Sequence, residues 1–126
     1  MNELKIESPT AGIDVVDYDG KGYKPAVKFG AWRVAYLNHS EAFDSIKKLE
    51  RHMETDEIFM LLSGSATLII GEDQKHIEME HDKIYNVRQG TWHNIKVSTD
   101  AKVFIVENDD TTTANTEYVY FDEPIA

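Results

Sequence analysis

Ten short runs of β-type residues, separated at five places by clear turn signals, recur along the 126-residue chain, and this spacing leaves room for few fold classes. The runs are Asp14 to Asp17, Ala26 to Phe29, Trp32 to Leu37, Glu57 to Leu62, Ala66 to Ile70, His76 to Met79, Ile84 to Val87, His93 to Val97, Lys102 to Glu107 and Glu117 to Phe121. Between them stand Asp19-Gly20-Lys21-Gly22, Ser63-Gly64-Ser65, Gly71-Glu72-Asp73, Gln89-Gly90 and Ser98-Thr99-Asp100, rich in residues that take turn conformations. Only Ser40 to Lys48 has the makings of a helical turn. Many strands at such short intervals predict an all-β sandwich or barrel. Tight turns between them imply antiparallel neighbours whose alternate side chains point inside.

At 14.4 kDa and 41% apolar content the chain can bury one core, so a single domain over residues 1–126 is expected. Thirteen Lys+Arg against twenty-three Asp+Glu give a formal charge of −10, which repels phosphate backbones and anionic lipid heads. Neither nucleic acid nor a membrane surface is an expected partner. The opening MNELKIESPTAG lacks the basic start and apolar stretch of a secretory signal, and runs such as Ile58 to Leu62 are far too short to span a bilayer. A cytoplasmic location is expected, and Asn38-His39-Ser40 then matches the glycosylation triplet by chance. The chain holds no cysteine, so any metal must be held by His, Asp or Glu.

Of five histidines, His39, His76 and His81 lie in polar turns and hairpins and read as solvated. His52 precedes an apolar run in which Glu57, Phe59 and Leu61 share one face. His93 opens a run in which His93, Ile95 and Val97 share a face. An inward glutamate and an inward histidine at two strand starts can meet at a barrel mouth, where small barrels bind ligands. Hydrogen bonding of the two to each other or to backbone is the plainer reading of the same pattern. The acidic run Glu107-Asn108-Asp109-Asp110 reads as a solvated loop, and Trp32, Phe59, Tyr85, Trp92 and Phe104 as core or pocket wall.

His52, Glu57 and Gly64 are separated by four and six residues, a frame that resembles the first motif of the cupin superfamily. Glu50 stands where that motif has its first histidine, and Asp44 where it has its first glycine. Gly90 and His93 match the second cupin motif, with Asp82 in place of its opening glycine, Arg88 in place of its proline and Val97 in place of its asparagine. The stretch between the motifs is about as long as in small bacterial cupins.

The resemblance implies an antiparallel double-stranded β-helix, or jelly-roll barrel, with one divalent metal inside: Fe, Mn, Zn or Ni, held by His52, Glu57 and His93. Glu50 would be a fourth ligand or a general base. It implies a small polar or carbohydrate-like ligand at the barrel mouth and a metal-dependent isomerase, hydrolase or oxygenase. Glutamate in place of a ligand histidine also fits a metal-free binding module without catalytic activity, so both readings stand at this point. Arg88 would meet an anionic group of the substrate or form a surface ion pair. A homodimer is expected, with the segment Ile13 to Val16 available to pair with a second chain.

Overall fold

The computed structural model describes residues 4–126; the first three, which begin the stretch read as lacking a secretory signal, lie outside the described residues. Twelve strands follow in order among the described residues: β1 (Leu4–Glu7), β2 (Val15–Tyr18), β3 (Gly22–Phe29), β4 (Trp32–Asn38), β5 (Lys48–His52), β6 (Glu57–Ser63), β7 (Ala66–Ile70), β8 (Lys75–Glu78), β9 (Tyr85–Val87), β10 (His93–Val97), β11 (Lys102–Asn108) and β12 (Thr116–Tyr120). Two five-stranded sheets carry the architecture, in the orders β12-β5-β10-β7-β8 and β3-β4-β11-β6-β9, with β1 and β2 forming a separate two-stranded arm. All the strand pairings are antiparallel.

Alternation builds the interior. In β6, β10 and β11 every second residue is buried, so Phe59, Leu61, Ile95, Val103 and Ile105 meet between the sheets with Ala35, Leu37 and Leu68. Each large apolar side chain buried this way contributes roughly 1.5–3 kcal/mol. Ile46, Leu49, Ile69 and Ile125 form a second cluster.

Gly64 shows why one turn of the motif needs glycine. It closes β6 onto β7 at φ +73°, and a Cβ there would lie 2.6 Å from the Ala101 Cα. The turn is therefore closed both by conformation and by contact.

Several sequence expectations change. The helical turn expected within Ser40 to Lys48 is confined to one 3-10 turn, Glu41–Phe43, and the segment runs on into β5, a strand that the charged sequence Lys48-Leu49-Glu50-Arg51-His52 hides. β3 begins at Gly22, so the turn read over residues 19–22 is shorter. The segment Ile13 to Val16 has its strand partner within the chain, where Val15 and Val16 pair with Glu7 and Ile6. Among the described residues no helix is long and apolar enough to cross a membrane.

Candidate metal and ligand site

Four strand ends converge at one end of the barrel. β5 delivers His52 at its last residue, β6 Glu57 at its first, β10 His93 at its first and β11 Glu107 near its last. All four side chains are buried. They line a cavity of about 450 Å³ whose apolar side is Leu37, Phe59, Ile95 and Ile105.

The two imidazoles point at one carboxylate oxygen. His52 Nε2 lies 3.1 Å and His93 Nε2 3.0 Å from Glu57 Oε1. Behind them, His52 Nδ1 is 2.9 Å from Thr116 Oγ1, and His93 Nδ1 is 2.9 Å from the Thr91 carbonyl oxygen. Such backing bonds fix ring orientation and decide which nitrogen faces inward.

At His93 the choice is forced. A carbonyl oxygen only accepts, so Nδ1 must carry the proton. A neutral His93 therefore turns a bare Nε2 lone pair toward Glu57 Oε1, and a carboxylate oxygen at 3.0 Å would repel it. A positive particle must lie between them, either a second proton or a cation.

The electrostatics agree. Burial disfavours the imidazolium at His52 and His93, but the Glu57 carboxylate outweighs it and raises both above the usual histidine range. Burial also disfavours charge on Glu57, yet the bonds from His52 and His93 hold it well below the usual carboxylate range.

Glu107 was read as part of a solvated loop, and the structure corrects this. Its side chain is buried, facing Glu57, and burial followed by the Glu57 charge pushes its carboxyl up to about 7. Arg33 Nη2 donates to Glu107 Oε1 at 3.0 Å, and Tyr23 Oη lies 3.3 Å from Oε2. The signal was present in the sequence: Val103, Ile105 and Glu107 alternate as Glu57, Phe59 and Leu61 do, and Arg33, Ala35 and Leu37 repeat it in β4.

Glu50 is half-buried and directly faces His93 across the β5–β10 pairing. Donor atoms of Glu50, His52 and His93 lie within 4.8 Å of one another, as do those of His52, Glu57 and Glu107. All four sequence-predicted residues are thus brought together. Arg88 is not: it borders a separate surface pocket with Asn86 and Thr91. His39 pairs with Asp44 at 2.7 Å, while His76 and His81 are exposed, His81 bonding the Gly64 carbonyl.

The donor set fits a divalent cation. Two donors about 2.1 Å from one ion and at right angles are about 3.0 Å apart, close to the His52–Glu57 and His93–Glu57 separations. Two imidazoles with carboxylates suit Fe(II), Mn(II), Zn(II) or Ni(II).

No family model matches the sequence, and no curated protein matches it. Solved structures do. Pac13, a nucleoside dehydratase, superposes with a TM-score of 0.61 at 10% identity over 98% of this chain and 93% of that one. The Streptomyces protein has also been solved with uridine. A cupin-2 domain protein from Shewanella frigidimarina gives 0.57 at 14% identity, covering 72% and 84%. Iron(II) HppE gives 0.53 at 16% identity, covering 84% of this chain and 56% of its own. With its two antiparallel sheets and the motif residues gathered at one barrel mouth, the chain has the cupin fold.

Proposed function

We propose that the chain binds a divalent metal at His52, Glu57 and His93, with the half-buried Glu50 and the buried Glu107 beside it, and takes a small uncharged, hydroxyl-bearing molecule into the adjoining cavity. The observation that carries the metal is His93, whose Nδ1 is committed to the Thr91 carbonyl while Nε2 faces Glu57 Oε1 at 3.0 Å. A bound cation there would supply Lewis-acid polarisation of a ligand oxygen.

The ligand class follows from what the cavity has left to offer. Arg33 is the one Lys or Arg among its described lining residues. Its guanidinium is already spent, donating from Nε to Tyr23, from Nη1 to the Asp109 carbonyl, and from Nη2 to Glu107 and the Thr111 carbonyl. Thr111, Thr112 and Thr116 already bond within the chain, which leaves the Glu50 carboxylate and the Thr113 and Tyr118 hydroxyls to meet the ligand, and these suit hydroxyl groups better than anions. The uridine held by the Streptomyces neighbour is a molecule of that kind and of a size for this cavity. A two-histidine, one-carboxylate set serves isomerases, hydrolases and oxygenases alike, so the reaction is set by the ligand rather than by the fold.

A second reading rests on the same pair: a proton in place of the cation makes His93 an imidazolium, and the cavity a metal-free binding module. Elemental analysis of tag-free protein separates the two. The metal reading expects about one equivalent of divalent metal per chain, lost in His93→Ala. Protein that carries no metal and takes none up from Mn(II), Fe(II), Zn(II) or Ni(II) leaves the metal-free module standing.

A further inference from the structure

The barrel is open along one side. β8 ends one sheet and β9 the other, and among the described residues no ladder joins these two edge strands. A cleft of about 250 Å³ lies between them, walled by Leu68 and Ile70 of β7, Ile77 of β8, and Tyr85 and Val87 of β9. Ile70, Ile77 and Tyr85 pack against the central core yet are only half-buried. The Tyr85 hydroxyl accepts from the Glu80 amide at 2.9 Å, which fixes the ring as one wall. Asn86, Arg88 and Thr91 complete the lining.

Arg88 differs from the other two arginines of the chain. Arg33 bonds Tyr23, Glu107 and two backbone carbonyls, and Arg51 pairs with Glu117 and lies over the Trp92 ring. The Arg88 side chain is exposed and makes no hydrogen bond or ion pair among the described residues. Asp56 feels its charge through space, but gives its own oxygens to the Gln89 amide at 2.8 Å and to the Asn86 side chain at 3.1 Å. No carboxylate lines the cleft, on a chain with twenty-three acidic residues.

An uncommitted guanidinium beside an apolar slot fits a molecule with one anionic end and a short hydrocarbon body. The planar fork of arginine matches a carboxylate with two parallel bonds, and the aliphatic walls take the rest. A net charge of −10 repels anions elsewhere, so an anion site needs a local cation and no acidic lining, and this cleft has both. Its volume, little more than half that of the metal-side cavity, suits a chain of a few carbons. A peptide strand is disfavoured, because β8 is four residues long and exposes Lys75, His76 and Glu78, charges that blunt a sheet edge.

The turn that carries Arg88 also holds two metal-site residues from behind. The Gly90 amide donates to the His52 carbonyl at 2.8 Å, and the Thr91 carbonyl accepts from His93 Nδ1 at 2.9 Å. In the strand registers Ile70 faces His93 and Val87 faces Glu57. The cleft and the metal site thus share a backbone segment and two ladder pairs.

We propose that this cleft is a second ligand site, for a short-chain alkyl carboxylate, with the carboxylate on Arg88 and the tail against Ile70, Ile77 and Tyr85. Hexanoate is the probe, titrated into isotope-labelled native chain at low ionic strength and followed by amide resonances. It should shift Ile77, Tyr85, Arg88 and Thr91 while leaving Tyr23 and Thr112, in the metal-side cavity, in place. Affinity should rise about threefold for each methylene from butanoate to hexanoate, and hexylamine should leave the same amides unmoved. Arg88→Met, at an exposed position, should weaken hexanoate about tenfold or more. The proposal is overturned if hexanoate moves no amide, if it moves Tyr23 and Thr112 instead, if hexylamine binds as well, or if Arg88→Met binds hexanoate as the native chain does.

Discussion

Because burial and the neighbouring Glu57 push Glu107 up to about 7, the folded chain keeps a proton that the unfolded chain releases near pH 4.5. Between these values the native state binds more protons, so stability falls as pH rises. His52 and His93, raised above 6.5 in the fold, act in the same sense: their contribution is complete below 6.5 and is lost as pH rises through their folded values. Glu57, held low, acts in the opposite sense, contributing above 4.5 and losing that contribution as pH falls. Metal-free protein should therefore melt highest near pH 5 and roughly 5 °C or more lower by pH 8, and Glu107→Gln should flatten much of that slope in a calorimetric pH series. Arg33→Met should cost about 3–5 kcal/mol in a urea titration, because it leaves the buried Glu107 and two backbone carbonyls without their donor. His52, Glu57 and His93 were legible in the sequence because motif spacing and alternation agree. Glu107 was obscured by the acidic residues after it, which make a buried side chain look like the start of a solvated loop.

At the level of elements, the motif glycines divide by what each must do. Gly64 and Gly90 both take left-handed backbone, at φ +73° and +77°, but a Cβ on Gly64 strikes Ala101 while one on Gly90 meets nothing within 4 Å. Gly90→Ala should cost only the conformational penalty, about 1 kcal/mol, whereas Gly64→Ala should cost roughly 2–4 kcal/mol, measured by equilibrium denaturation. Asp82, where the second motif has its opening glycine, adopts φ +67°; aspartate is among the residues that tolerate this region. Asp44, at the first motif's glycine position, has φ −82° and needs no such tolerance. The β10 and β7 bounds were readable to the residue, β10 from its strict alternation and β7 from a short apolar run held between the Ser63-Gly64-Ser65 and Gly71-Glu72-Asp73 turns. β5 was not, because pairing with both β12 and β10, rather than apolar periodicity, makes it a strand.

For the whole molecule, the registers show an uneven join. β12 and β5 are paired over five positions and β10 and β7 over five, yet β5 meets β10 at the single pair His93–Glu50. The β5–β12 ribbon is thus paired along its length on one side, while on the other a single ladder pair is supplemented only at the ends of β5, where the Asn94 side chain donates to the Lys48 carbonyl and the Gly90 amide to the His52 carbonyl. It carries Glu50 and His52, while Glu57 and His93 belong to the rest of the barrel. A cation shared between the two would act as a rivet through a hinge. Amide exchange should be faster in Lys48–His52 than in Ala66–Ile70 for metal-free protein, and metal should slow it there more than anywhere else. The ribbon's freedom, rather than the width of the cavity, would then decide how large a guest can enter.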